Sequence, residues 1–257
     1  MKIKEQIANF FTLLNLACGF LAILFIMNGD LLKGGIFVFA GALFDFFDGF
    51  IARALGITSE LGKQLDSLSD VVTFGVVPGL IAYELLIFPH SGWAQYDQSA
   101  NITRFETLAL TAILIPLFSA FRLAKFNIDA TQSKNFRGLP TPANGLLWAS
   151  FAIVMRYGDI DLTNPFISEL KHLLSEITFL VPAVVVMSLL LVAPIKLMGL
   201  KFDKFTWRGN EMKFLLVIVS TILLIMLGFV AVPFILLLYI LFSIIHFYIL
   251  KRHEIQS

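Results

Sequence analysis

The chain has 257 residues, 58% of them hydrophobic and 14% charged, with a mean hydropathy of +0.86, which excludes an ordinary soluble domain and points to an integral membrane protein. A net charge of +1 lacks the basic footprint that nucleic acid demands, so no nucleic-acid partner is expected. A single cysteine, Cys18, excludes an intrachain disulfide.

At about 20 apolar residues per crossing, the pattern predicts an all-α, polytopic transmembrane bundle of about eight helices. They fall at roughly 7–28, 31–56, 64–88, 104–126, 141–157, 176–198, 212–229 and 231–250. Residues 1–198 are expected to form a six-helix core, and 199–257 a basic connection followed by a hairpin turning at Gly228 to Pro233. The first helix is expected to be a retained span, because its apolar run continues beyond Cys18. It carries a polar stripe, Asn9, Thr12, Asn15 and Gly19, at helical spacing. That stripe suits either a ligand pocket or interhelical hydrogen bonds.

The second helix ends in Asp45-Phe-Phe-Asp48-Gly49-Phe-Ile-Ala52-Arg53. At about 100° per residue, Asp45 and Asp48 share one face with Gly41, Gly49, Ala52 and Gly56, while Phe46, Phe47, Phe50 and Ile51 fall on the other. The third helix repeats the design with Gly62, Asp66, Ser69, Asp70 and Thr73. Each uncompensated charge in a bilayer costs roughly 2.5–3.5 kcal/mol or more, and four carboxylates brought together repel one another. A hard divalent cation such as Mg²⁺ or Mn²⁺, with oxygen ligands and a substrate phosphate, is the simplest compensation.

Further along, Gly75, Pro78 and Gly79 are expected to bend the third helix or admit a close neighbour, 89–103 is expected to be an external loop, and 157–175 is expected to lie outside as well. A second informative region is Phe121-Arg122-Leu-Ala-Lys125-Phe-Asn127, followed by Phe136-Arg137-Gly138-Leu139-Pro140-Thr141-Pro142-Ala143-Asn144-Gly145. Lys and Arg crowd one side of the eight spans: Lys2, Lys4, Arg53, Lys63, Arg122, Lys125, Lys134, Arg137, Lys196 and Lys201 onward. By the positive-inside rule both termini and the acidic motif face the cytoplasm. Segment 199–213, with Phe202, Phe205 and Trp207 among its basic residues, is expected at headgroup level.

The arrangement D-x2-D-G-x2-A-R-x8-G-x3-D-x3-D, from Asp45 to Asp70, resembles the signature of the CDP-alcohol phosphatidyltransferases at every fixed position. The resemblance implies a membrane transferase of phospholipid biosynthesis in the bacterial cytoplasmic membrane, using Mg²⁺ or Mn²⁺. It implies Asp45, Asp48, Asp66 and Asp70 as metal ligands, with Asp70 also the catalytic base. Asn9, Thr12, Gly49, Ala52, Arg53 and Gly62 are implied in binding CDP-diacylglycerol, and the assembly in a homodimer. The segment R-L-A-K-F-N…F-R-G-L-P-T-P-A resembles the branch of the family that accepts L-serine, with Arg122 and Arg137 as candidates for its carboxylate. Another acceptor, glycerol 3-phosphate or inositol phosphate, is the alternative within the same chemistry. A cation- or proton-coupled transporter also keeps intramembrane acids, but gives no reason for the fixed Gly and Ala positions.

Overall fold

In the computed structural model, residues 3–56, 59–91, 104–128, 136–157, 165–199, 207 and 210–250 are described; for 3–4, 88–91, 104–106, 136–137, 157 and 248–250 this concerns the backbone alone. The chain runs α1 (Ile3–Met27), α2 (Leu31–Ala54), α3 (Glu60–Val71), α4 (Val77–Ser91), α5 (Arg104–Ala109), α6 (Leu114–Ile128), β1 (Phe136–Arg137), α7 (Thr141–Tyr157), α8 (Pro165–Ser175), α9 (Ile177–Val192), β2 (Lys196–Leu197), α10 (Glu211–Leu227) and α11 (Ala231–Ile244). Among the described residues, five helical runs are long and apolar enough to cross a membrane: Glu5–Met27, Leu31–Ala54, Glu60–Ile87, Thr107–Ile128 and Glu211–Phe247. The pair α8 and α9 can make a sixth.

The 37-residue run at the end would reach about 55 Å if straight, nearly twice the ~30 Å hydrocarbon core. Gly228, at φ 55° and ψ −135°, breaks it, and α10 and α11 pack against each other as the expected hairpin. Counting its two arms and the 17-residue α7 separately, the described helices make the eight expected. Helix α7 is the bundle's most enclosed element, with Trp148, Ala149, Ala152 and Val154 fully buried. Its neighbour α2 comes close because Gly35 has no side chain; a Cβ there would sit 2.7 Å from the Ala149 carbonyl oxygen.

Two features depart from the expected pattern. The third span is a continuous helical run, but a π turn over Val72–Val76 interrupts its α-geometry just beyond Asp70. The wide turn falls where Pro78 has no N–H to offer, and the Val77 N–H reaches back to the Val72 carbonyl. Between the spans expected to end near 157 and to begin near 176 stands a further helix, α8, which meets α9 at 75°. Phe166, Ile167, Leu170, Leu173 and Leu174 recur at helical spacing along it, but 11 residues are too few to span a bilayer, so hydropathy alone passes over it. The sixth helix accordingly ends at Val192, not near residue 198. Residues 92–103 and most of 199–209, with the expectations placed on them, lie outside the described residues.

Gly75 and Gly79 form a G-x3-G pair against α6. A Cβ on Gly79 would lie 2.8 Å from Cδ of Pro116, and one on Gly75 would lie 3.1 Å from Cβ of Ser119. Small residues let helices approach this closely in lipid, where packing drives association. Gly79→Leu should therefore destabilise the detergent-solubilised protein by about 1–3 kcal/mol, the usual overpacking range, seen as a lower thermal unfolding midpoint. An unchanged midpoint would show that α4 and α6 are not locked there.

Candidate active site

The acidic face forms where the C-terminal end of α2 meets the C-terminal half of α3. Phe46, Phe47 and Phe50 turn outward and are exposed, while Gly41 and Asp48 are buried; this is the division that 100° spacing predicts. On α3, Ser69, Asp70 and Thr73 are buried. One carboxylate oxygen from each of Asp45, Asp48 and Asp66 lies within 4.8 Å of the other two. Asp70 is outside that trio and 6% exposed; its Oδ1 accepts from Nδ2 of Asn15 at 3.1 Å. Thr73 donates to the Asn15 carbonyl oxygen at 3.0 Å, so α1 holds the start of the π turn directly.

Two clefts open on either side of these acids. The first, about 380 Å³, is lined by Ala8, Asn9 and Thr12 of α1, Asp48 and Ala52 of α2, and Gly62 and Asp66 of α3. Gly62 brings α3 close to α1, since a Cβ there would be 3.1 Å from Oδ1 of Asn9. The second, about 390 Å³, contains Asp45, Gly49, Arg53, Asp66 and Asp70 on one wall, with Arg122, Asn127, Pro140 and Pro142 on the other. Asp66 and Lys63 border both. The structure thus divides the six residues expected around the nucleotide: Asn9, Thr12, Ala52 and Gly62 line the first cleft, Gly49 and Arg53 the second. Arg53 folds back over Gly49, with a guanidinium nitrogen 3.3 Å from where a Cβ would be.

Arg122 is 9% exposed, buried in the second cleft and not at an open rim. One guanidinium nitrogen donates to Oγ1 of Thr141 at 3.1 Å, while its Nε is buried without a partner. Asp70 and the Tyr239 hydroxyl are its electrostatic neighbours. The loop ahead of Thr141 is fixed by a short ladder that the sequence did not announce: β1 pairs antiparallel with β2, Phe136 opposite Leu197 and Arg137 opposite Lys196. Gly138, at φ 76°, donates to the Ile195 carbonyl at 2.9 Å, and Leu139 donates to the Leu190 carbonyl at 2.8 Å. A left-handed residue in van der Waals contact with the α9 backbone must be glycine here. The side chain of Arg137 lies outside the described residues.

Sequence reasoning located the acids and the α1 stripe, but not their pairings. Asn15 was visible as a stripe member, yet nothing in its spacing names Asp70 as its acceptor. Asn127 stands in the basic segment; its Nδ2 donates to Oγ of Ser67 at 2.9 Å, and its carbonyl accepts from Lys63 Nζ at 2.7 Å. These bonds tie the end of α6 to α3 at the mouth of the second cleft.

Residues 5–187 match the family model described as CDP-alcohol phosphatidyltransferase. The chain belongs to that family. It is 33% identical over 167 residues to the CDP-diacylglycerol–serine O-phosphatidyltransferase of Bacillus subtilis, an overlap of 62% of this chain and 85% of that protein. It is 31% identical over 182 residues to the archaetidylserine synthase of Methanothermobacter thermautotrophicus, covering 69% of this chain and 72% of the relative. To the CDP-diacylglycerol–serine O-phosphatidyltransferase of Methanocaldococcus jannaschii it is 35% identical over 145 residues, covering 56% and 59%. The match runs from the first cleft's Glu5 through α9's first turns and includes the acidic face.

The trio fits a divalent cation. Two like charges 4.8 Å apart or closer repel by at least about 3 kcal/mol at an effective dielectric of about 20, and Oδ2 of Asp48 is buried with no hydrogen-bond partner. Only oxygen donors converge there, the set that Mg²⁺ and Mn²⁺ take. Because carboxylate count sets the affinity of such sites, Asp48→Asn or Asp66→Asn should weaken Mn²⁺ binding to the purified protein by about tenfold or more. Electron paramagnetic resonance of free Mn²⁺ reads this directly. Asp70→Asn should weaken it less, and equal losses in all three would place Asp70 among the ligands on the same footing.

Proposed function

We propose that this protein transfers the phosphatidyl group of CDP-diacylglycerol to L-serine, giving phosphatidylserine and CMP. One observation carries the reading: a buried arginine shares a cleft with Asp70 and two acids of the trio, so an anionic acceptor and a proton acceptor meet beside a phosphate-binding cluster. The names of the relatives support the choice of acceptor. Their lipid differs, diacylglycerol or archaetidyl, and serine is common to them.

On this reading Asp45, Asp48 and Asp66 hold a divalent cation, Mg²⁺ or Mn²⁺, with Asp70 beside them. When bound, the cation neutralises the diphosphate of the substrate and the charge that develops on departing CMP. Asn9, Thr12, Ala52 and Gly62 receive the nucleotide in the first cleft, where the small side chains of Ala52 and Gly62 leave room for it. Arg122, and Arg137 from its loop, receive the serine carboxylate; a guanidinium suits that role through its bidentate fork. Asp70 takes the proton of the serine hydroxyl. The freed oxygen attacks the phosphorus that bears diacylglycerol, and the bond from that phosphorus to CMP breaks. Asn15 orients Asp70 by occupying Oδ1, which leaves Oδ2 for the proton. Gly49 and Arg53 border the path between phosphate and acceptor.

The same reading sets the enzyme in the bacterial cytoplasmic membrane with its site on the cytoplasmic side. Arg53, Lys63 and Arg122 line the second cleft and Lys125 stands beside Arg122, a basic grouping of the kind that the positive-inside rule associates with a cytoplasmic face. Residues 1–198 serve as the phosphatidyltransferase core and 199–257 as the connection and hairpin, and a homodimer is the proposed assembly.

The purified protein, given CDP-diacylglycerol and Mg²⁺ or Mn²⁺, should release CMP much faster with L-serine than with glycerol 3-phosphate or inositol phosphate, and should stop in EDTA. Asp70→Asn should lower kcat by about 10²–10⁴-fold, the usual loss of a general base. Arg122→Lys should raise the KM for serine more than that for CDP-diacylglycerol. Faster release with glycerol 3-phosphate would overturn the acceptor and leave the phosphatidyl transfer standing; full turnover in EDTA would overturn the role of the cation.

A further inference from the structure

The family match ends at residue 187, before β2 and the C-terminal hairpin. Yet the hairpin is tied toward the second cleft through one residue. Met198, directly after β2 and 2% exposed, has both backbone polar groups held by side chains of α11. Its N–H donates to Oγ of Ser243 at 3.1 Å, and its carbonyl accepts from the Tyr239 hydroxyl at 3.0 Å. Tyr239 and Ser243 stand one helical turn apart, are 6% and 0% exposed, and are linked by the Ser243 hydroxyl donating to the Tyr239 carbonyl at 2.7 Å. Buried backbone groups require partners, and at Met198 the hairpin supplies them.

From Met198 the connection to the cleft is short. Strand β2 pairs with β1, Gly138 and Leu139 are bonded to the carbonyls of Ile195 and Leu190, and the next residues are Pro140, Thr141 and Pro142. Both prolines line the second cleft, and Thr141 is the hydrogen-bond acceptor that orients Arg122. Tyr239 is also an electrostatic neighbour of Arg122 itself. The first cleft is built from α1, α2 and α3 and has no part in this chain of contacts.

We propose that Tyr239 and Ser243 are positioning residues for the acceptor: the hairpin clamps the backbone of Met198 and so fixes the 136–142 loop and the Arg122 guanidinium. This rests on the second cleft being the acceptor's. Its consequence is a split between substrates. Loss of the clamp loosens the acceptor wall and leaves the nucleotide wall intact.

Tyr239→Phe removes one oxygen, and Ser243→Ala another, so both test the clamp with little change of volume. In purified full-length protein, each should raise the KM for serine by about three- to tenfold, the worth of one buried hydrogen bond, while the KM for CDP-diacylglycerol stays within about twofold. Ser243→Thr keeps the hydroxyl and should restore the serine KM towards the wild-type value. Ile225→Ala, at an 81% exposed position of the same hairpin, should leave both constants unchanged. Unchanged serine KM in both clamp variants, or equal change in both substrates' KM values, would overturn the proposal. If the wild type turns over no serine, the acceptor reading fails; the KM of whichever alcohol it does use then decides the clamp by the same split.

Discussion

Like charges cannot be gathered at the end of a helix bundle in a membrane unless something of opposite sign joins them. Asp45, Asp48 and Asp66 converge within 4.8 Å, and Asp70 lies beside them, buried and held by Asn15. The surrounding structure serves that convergence. Gly41 lets α2 close on Thr73 and Asn15, Gly62 lets α3 close on Asn9, and the polar stripe of α1 supplies the hydrogen bonds that a lipid-facing helix cannot. The arrangement is unfavourable without a cation, and a divalent ion held by the trio would offset the repulsion.

The acids also act as a partition. They separate a cleft built from α1, α2 and α3 from one built with α6 and α7, and Asp66 faces both. A transferase needs this layout, because donor and acceptor must reach one phosphorus from different sides while the charge between them is neutralised. On the proposed reading the nucleotide end of the donor occupies the α1 side. The acceptor occupies the side where Arg122 is buried with its Nε unpartnered, an arrangement that is costly for an empty protein and suited to an anionic ligand.

The helical count, the outward Phe46, Phe47 and Phe50, and the acidic face were all legible in the sequence, because each follows from composition or from 100° spacing. What was not legible depends on pairing across the chain. The two-residue ladder between β1 and β2 joins segments some sixty residues apart and has no periodic signal at all. The π turn at Val72–Val76 becomes intelligible from Pro78 only after the fold is known. Helix α8 was missed because hydropathy windows tuned to membrane crossings pass over 11 amphipathic residues. The hairpin's Tyr239 and Ser243 stand in a uniformly apolar run, where a lone hydroxyl reads as incidental until Met198 is seen between them. Gly49 and Arg53 line a different cleft from the other four residues expected around the nucleotide, for a related reason: one helix face at the end of α2 serves two clefts, and spacing cannot say which residue turns to which.

The partition is the central claim, and a structure of the protein with Mn²⁺ and CDP tests it most directly. The account predicts anomalous density for manganese among Asp45, Asp48 and Asp66, with the cytidine against Asn9, Thr12, Ala52 and Gly62. Cytidine seated instead against Arg122, Asn127 and Pro140 would contradict it.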